Sequence, residues 1–201
     1  MTNQRPQTPR EAWNALKAGN HRFVNETREH PNQDADRRTA IALQQKPFAA
    51  LFGCADSRLS AEIIFDVGLG DLFVVRNAGQ VIAETILGSL EYAVEVLKVP
   101  LILVLGHDEC GAIRATIDAH EGKLVSEGEF IHNLVARIEP TVTQAYADGK
   151  KDIDDITALH IHDTIEDLMS RSALIANAVK AGKLGVVGAN YKLALGEIHP
   201  L

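Results

Sequence analysis

Two cysteines and one histidine stand at the carboxyl ends of two apolar runs. Cys54 ends the run FAALFG, and His107 and Cys110 follow the run LILVLG. Such runs are typical of parallel strands buried on both faces, and open α/β sheets place their chemistry at the carboxyl ends of these strands. Two thiolates and one imidazole make up the Cys₂His ligand set that zinc uses in catalytic sites. The sequence therefore predicts that Cys54, His107 and Cys110 bind a zinc ion.

A carboxylate and a guanidinium follow the first cysteine. In the run Cys-Ala-Asp-Ser-Arg, Asp56 could reach the metal as a fourth ligand, and Arg58 could pair with Asp56 and pull it away. This Cys-x-Asp-x-Arg run, taken with the later Gly-His-x-x-Cys-Gly run, resembles the bacterial β-class carbonic anhydrases. The similarity extends over most of the chain, from the first predicted helix to the last predicted strand.

The resemblance implies both a fold and a reaction. The fold would be α/β, with a mostly parallel central sheet flanked by helices and an extended N-terminal helix. The reaction would be the reversible hydration of carbon dioxide to bicarbonate and a proton, through attack by zinc-bound hydroxide. Asp56, held off the metal by Arg58, would orient that hydroxide, and it would close the site as fourth ligand when the pair separates. The family also implies a homodimer or a homotetramer.

Two other functions stay open at this point. Related sequences on this fold act on carbonyl sulfide or carbon disulfide with the same zinc site, and access to the pocket would distinguish these substrates. Alternatively, Asp56 could be a permanent fourth ligand, which would make the chain an inactive structural or regulatory zinc module. Arg58 argues against this module because it is placed to hold the carboxylate away, and structural sites more often use Cys₄ or Cys₂His₂ sets.

The helix predicted directly after the second cysteine is a candidate for binding the substrate. Gly111 begins this helix, and its first backbone amides should point towards the metal motif. The amides and the helix dipole favour negative charge at that position. We therefore expect Gly111 to contact an anion such as bicarbonate.

Other polar residues have ordinary explanations. Arg76 ends a predicted strand, where an arginine is commonly a surface residue or an ion-pair partner. His160 and His162 are two residues apart in a predicted helix, so their side chains should point to different faces. We expect both histidines to have surface or packing roles rather than to bind metal.

Composition limits the partners and the location of the chain. Its 201 residues suit one compact domain, 1–201, and a net charge of −7 argues against binding nucleic acid or an anionic membrane surface. No apolar segment approaches the roughly 20 residues that span a bilayer, and the first residues lack the apolar core of a signal peptide. We expect a cytoplasmic protein with a small-molecule substrate. In a reducing compartment, the two cysteines favour metal ligation over a disulfide.

Periodicity and capping signals predict alternating strands and helices, which imply parallel pairing. Thr8, Pro9 and Glu11 predict a capping box at the first helix, whose Trp13 and Phe23 could pack on their own domain or, as the resemblance implies, on a neighbouring subunit. The segment 30–38 reads as irregular. Strands are expected at 48–54, 71–76, 101–105 and 184–191, with an edge strand at 193–198; helices are expected at 60–65, 84–98, from 111, at 129–139 and at 152–180.

Overall fold

A five-stranded sheet forms the centre of the computed structural model, which describes residues 5–123 and 126–201. The order across the sheet is β2-β1-β3-β4-β5. The first four strands run parallel, and β5 pairs antiparallel with β4. This arrangement confirms the mostly parallel α/β sheet. The strands are β1 (Ala49–Cys54), β2 (Leu72–Asn77), β3 (Leu101–His107), β4 (Gly185–Lys192) and β5 (Glu197–Pro200).

Helices cover both faces of the sheet, as predicted. One apolar cluster joins one face of the sheet to α1, α3, α5 and α6, and a second joins the other face to α4, α7 and α8. In the described residues, no helix is both long enough and apolar enough to cross a membrane. The helices are α1 (Pro9–Val24), α2 (Ala35–Ile41), α3 (Ala61–Ile64), α4 (Glu84–Glu95), α5 (Gly111–His120), α6 (Glu129–Ala147), α7 (Ile153–Arg171) and α8 (Ala173–Lys180).

The central strand β3 contributes side chains to both clusters. Leu103 and Leu105 pack into the first cluster, while Ile102 and Val104 pack into the second. All four are 0–1% exposed. Because a strand between two helical layers has no solvent face, its sequence is apolar at every position and not at alternate ones. Burying each such side chain contributes about 1.5–3 kcal/mol, which holds the carboxyl end of β3 in a defined position.

The N-terminal helix begins with the predicted capping box. The backbone N–H of Glu11 donates to Thr8 Oγ1 at 3.2 Å, and the N–H of Thr8 donates to a Glu11 carboxylate oxygen at 3.1 Å. The helix packs on its own chain through a buried face that includes Leu16, whereas Trp13 and Phe23 are only partly buried. The capping box and the buried face together position α1 against the first apolar cluster.

Helix α6 corrects one expected boundary. We expected a helix at 129–139 that breaks at Pro140, but α6 continues through this residue to Ala147. A proline inside a helix costs about 3 kcal/mol because it removes one hydrogen bond. Side chains buried on both sides of it, including Ile138 and Val142, are fully inaccessible to solvent and outweigh that cost. Tertiary packing therefore overrides the local signal.

The expected single helix at 152–180 is also wrong, since Ser172 separates α7 from α8. The Ser172 backbone is extended, and its hydroxyl accepts from the N–H of Ile175 at 3.2 Å. The same hydroxyl donates to a Glu91 carboxylate oxygen at 2.6 Å. A serine that is capped locally and anchored to α4 thus starts a new helix.

Smaller corrections concern helix and strand ends. Helix α2 lies partly in the segment 30–38 that we expected to be irregular, and Asp34 caps it by accepting from the N–H of Arg37 at 2.7 Å. Helix α4 ends at Glu95, before the expected residue 98. The edge strand starts at Glu197 and not at residue 193, because the chain first turns through Gly196 at φ +72°.

Candidate metal centre

The three predicted ligands meet at the carboxyl end of the sheet. Cys54 ends β1, His107 ends the neighbouring β3, and Cys110 lies directly before α5. One ligand atom from each lies within 4.8 Å of the other two, and all three residues are buried. Both cysteines are free in this structure, in agreement with metal ligation rather than a disulfide. The structure therefore brings together the Cys₂His set that the sequence predicted.

The imidazole of His107 presents a free acceptor to the two sulfur atoms. Its Nδ1 lies 2.7 Å from the carbonyl oxygen of Asp108. Since a carbonyl only accepts, Nδ1 carries the proton and Nε2 carries the lone pair. This Nε2 is buried and has no hydrogen-bond partner among the described residues. A buried, unpaired acceptor is unfavourable by itself, so its orientation fits a metal ion.

Each of the two thiols shifts the pKa of the other. The hydrogen bond from Cys110, with a smaller contribution from the N–H of Gly79, lowers the pKa of Cys54. The same contact and burial raise the pKa of Cys110. One sulfur is thus readily a thiolate, whereas the second needs additional positive charge to ionise. A divalent zinc ion supplies that charge, so the donor set fits zinc.

Asp56 and Arg58 form a bidentate pair beside the three ligands. Arg58 donates from Nε to Asp56 Oδ1 at 2.9 Å and from Nη2 to Oδ2 at 2.7 Å. These bonds hold the pKa of Asp56 well below its usual range. The Oδ2 atom lies 3.9 Å from Nε2 of His107. The carboxylate is therefore ionised and adjacent to the ligand cluster, but it is committed to Arg58.

Arg76, on strand β2, ties the loop that carries the Asp56–Arg58 pair to the sheet by donating to two backbone carbonyls. Its Nε donates to the carbonyl of Cys54 at 2.8 Å, and its Nη2 donates to the carbonyl of Asp56 at 2.5 Å. We expected an ordinary surface or ion-pair role for Arg76, and that expectation missed these contacts. Arg58 similarly donates to the carbonyl of Glu109 at 3.2 Å, which joins the two ligand loops. Every residue has a backbone carbonyl, so these contacts could not be predicted from the amino-acid sequence.

A tight turn after β2 supplies a hydrogen bond to one ligand. The N–H of Gly79 donates to Sγ of Cys54 at 3.3 Å. Gly79 has φ +71°, and a Cβ there would lie 2.8 Å from Cβ of Ala112 and 2.9 Å from Cδ1 of Ile138. Asn77 braces the turn by bonding both the N–H and the carbonyl of Val81, at 3.0 and 2.8 Å. Only glycine fits this backbone and this space.

The backbone N–H groups in the first turn of α5 interact with the sulfur of Cys110. The N–H groups of Ala112 and Ile113 lower the pKa of Cys110, against the larger effects of Cys54 and burial. Gly111, the first residue of α5, is exposed, and a Cβ there would meet no atom within 4 Å. The space beside Gly111 is thus open, and its expected contact with bicarbonate remains a prediction.

The two histidines of α7 point to different faces, as expected. His162 is exposed, whereas His160 is buried with Nε2 2.7 Å from the carbonyl oxygen of Gly79. His160 is thus buried, as expected for a packing residue, but its hydrogen bond to Gly79 could not be identified from the sequence.

Comparisons with known proteins agree with this geometry. A family model described as carbonic anhydrase matches residues 49–198. The chain is 50% identical to carbonic anhydrase 2 of Mycobacterium tuberculosis, over 94% of this chain and 91% of that protein. It is 48% identical to a carbonic anhydrase of Mycolicibacterium smegmatis, over 95% and 92% of the two chains. The structure of a Coccomyxa β-carbonic anhydrase in complex with acetazolamide is similar with a TM-score of 0.72 and 26% identity, covering 81% of this chain and 75% of that one.

Proposed function

This chain belongs to the β-class of the carbonic anhydrase family, and we propose on that premise that it converts carbon dioxide and water to bicarbonate and a proton at Cys54, His107 and Cys110. The observation that carries the proposal is the convergence of three buried ligand atoms within 4.8 Å beside an ionised carboxylate. A zinc ion held there would supply the positive charge that makes water at the site more acidic.

Asp56 has the properties of the residue that orients the attacking water. Because Arg58 keeps its carboxylate ionised, Asp56 can accept a hydrogen bond but cannot donate one. Its Oδ2 is 3.9 Å from Nε2 of His107, which is close enough for a small molecule at the ligand cluster to reach it. An O–H that donates to Asp56 leaves its oxygen lone pair free to face the carbon of carbon dioxide.

Arg58 would act as the switch for this carboxylate. Its two side-chain bonds to Asp56 and its contact with the Glu109 carbonyl favour the conformation described here. Arg58 itself is exposed, so these bonds compete with water. If they break, Asp56 is free to turn towards the ligand cluster and to close the site as a fourth ligand.

Two further assignments accompany this proposal. Gly111 would offer its backbone N–H to a bicarbonate oxygen beside the cluster. A homodimer or homotetramer is supported by an apolar patch at the sheet edge. Tyr92 of α4 and Val96, directly after α4, are 44% and 56% exposed there, and the Tyr92 ring lies 6.0 Å from that of Phe73 on the edge strand β2. We propose a cytoplasmic location because both thiols are free.

Stopped-flow hydration of carbon dioxide over a range of pH tests the function. We expect turnover to rise with pH in zinc-loaded protein, to disappear on chelation and to return when zinc is added. The same preparation assayed with carbonyl sulfide and carbon disulfide tests the alternative substrates. A protein that contains stoichiometric zinc but does not hydrate carbon dioxide at any alkaline pH would contradict the proposal.

A further inference from the structure

His160 reaches the metal centre from a distant part of the chain. It lies on α7, is 4% exposed, and donates from Nε2 to the carbonyl of Gly79, 81 residues away in sequence, at 2.7 Å. Burial lowers the pKa of His160, so the ring is neutral. Because a carbonyl only accepts, the proton is on Nε2 and the lone pair is on Nδ1. Nδ1 has no partner within the described part of the chain.

The turn that His160 contacts has an unfavourable backbone conformation. Gly79 has φ +71° and Gln80 has φ +40°, and left-handed backbone is disfavoured for a residue with a side chain. The side-chain amide of Gln80 is buried and has no hydrogen-bond partner among the residues described, so it does not hold the turn through a bond of its own. Asn77 braces the turn locally. The bond from His160 fastens it to a different element.

The conformation of this turn determines where one amide points. The N–H of Gly79 donates to Sγ of Cys54 at 3.3 Å, and the carbonyl of the same residue accepts from His160. With its two ends fastened on opposite sides, Gly79 cannot rotate without losing one of these bonds. His160, Gly79 and Cys54 therefore form a continuous chain of hydrogen bonds, which we call the Gly79 relay.

We propose that His160 is a positioning residue for the Cys54 ligand and acts on it through the Gly79 relay. The inference rests on the metal site proposed above and adds to it a residue of α7. An N–H that donates to a thiolate stabilises its negative charge and reduces the charge that the sulfur gives to a metal. Without His160 the turn can relax and that bond weakens, so the sulfur electrons are less strongly bound. Cys54 also loses a contact that fixes its orientation, and because this loss of positioning outweighs the extra charge on the sulfur, the metal is held less tightly.

Three variants separate this role from simple packing. His160→Leu fills a similar space without a donor, and His160→Gln places an amide N–H near the position of Nε2 and should restore the bond to Gly79. Thr157→Val is the matched control, because Thr157 is buried on the same helix and its hydroxyl donates only to the carbonyl of Ile153, at 2.7 Å. Thermal unfolding of each variant measures the loss of stability.

Two measurements report on the metal site without using activity. Competition with a chelator gives the zinc affinity, and the near-ultraviolet sulfur-to-metal charge-transfer band of cobalt-substituted protein reports on the thiolates. We expect His160→Leu to weaken zinc binding about 10-fold, the lower end of the range for residues that support metal ligands, and to move the band to longer wavelength. His160→Gln and Thr157→Val should resemble the wild type in both measurements.

The outcomes distinguish the relay from the proposed function. Wild-type affinity and spectrum in His160→Leu would overturn the relay, and so would equal changes in His160→Leu and Thr157→Val. If His160→Leu does not fold, His160→Asn replaces it, because the shorter amide cannot reach Gly79; a wild-type spectrum in His160→Asn then overturns the relay. Wild-type protein that binds neither zinc nor cobalt would instead overturn the metal site itself.

Discussion

Replacing Gly79 by alanine should destabilise both the fold and the metal centre. The new Cβ would lie 2.8 Å from Cβ of Ala112 and 2.9 Å from Cδ1 of Ile138, distances that require neighbouring atoms to move. Left-handed backbone costs about 1–2 kcal/mol for a residue with a side chain, and overpacking a buried site adds about 1–3 kcal/mol. The sum, about 2–5 kcal/mol, is a large part of the stability of a typical domain.

Gly149→Ala is the control for this substitution. Gly149 also has a positive φ, +76°, but a Cβ there would meet no atom within 4 Å. The backbone cost is therefore common to both variants, and the difference between them should be the steric cost of about 1–3 kcal/mol. Chemical denaturation of both variants measures it directly. For a chain of this size each kcal/mol corresponds to about 2–4 °C in Tm, so Gly79→Ala should melt clearly below Gly149→Ala.

The metal centre supplies a second readout of the same substitution. Displacing the turn weakens the N–H bond from Gly79 to Cys54, so Gly79→Ala should lose zinc to a chelator more readily than either Gly149→Ala or the wild type. Equal stability losses in the two alanine variants, together with equal zinc retention, would refute the packing argument. Such a result would mean that the turn accommodates a side chain at position 79 without a steric cost.

Three other substitutions test separate parts of the structure. Asp56→Asn should keep the zinc content of the wild type but lose about 10²-fold or more in turnover, because a neutral amide that can also donate replaces a charged group that only accepts; an unchanged rate in stopped-flow assays would remove Asp56 from the reaction. Ser172→Ala should lower the free energy of unfolding by about 1 kcal/mol through the lost cap, with turnover unchanged, and urea denaturation measures this. Burial opposes ionisation of Asp66, but bonds from Arg22 and two backbone amides hold its pKa below the usual value. A lowered folded-state pKa stabilises above the unfolded value of roughly 4, so stability should fall as the pH drops below it; Asp66→Asn should flatten this part of the urea-denaturation profile.

Each of these three substitutions has an observation that serves as its control or would contradict it. Circular dichroism of Asp56→Asn should match that of the wild type, since the Arg58 pair lies at the surface of the site. A loss of turnover in Ser172→Ala would contradict its purely structural role. A pH profile that is unchanged in Asp66→Asn would show that the carboxylate keeps an ordinary pKa in the folded chain.

The ligands of the metal centre were predictable because strand ends are local features. Each apolar run ends at a ligand or just before one, and neighbouring parallel strands end at the same edge of the sheet. The chemistry of thiolates and imidazole then indicated zinc. The capping box at Thr8 was predictable for the same reason, since all of its bonds lie within four residues.

The contacts that hold the ligands in place required the tertiary structure. Arg76 bonds to backbone carbonyls, and backbone carbonyls are the same at every position of a sequence. His160 contacts a turn that is 81 residues away in sequence. No local sequence pattern predicts the left-handed backbone of that turn. Local signals also failed where packing opposed them, as at Pro140, which α6 accommodates because its neighbours are buried.

One physical cause explains why some of these features could be predicted from the sequence and others could not. Residue type and spacing within a strand or a helix turn determine which groups can face the same way, and these are properties of the chain alone. Which carbonyl a guanidinium reaches, or which turn a distant histidine fastens, depends on the packing of whole helices against the sheet. The sequence alone therefore determined the three residues that we propose as zinc ligands, whereas the tertiary structure decided what supports them.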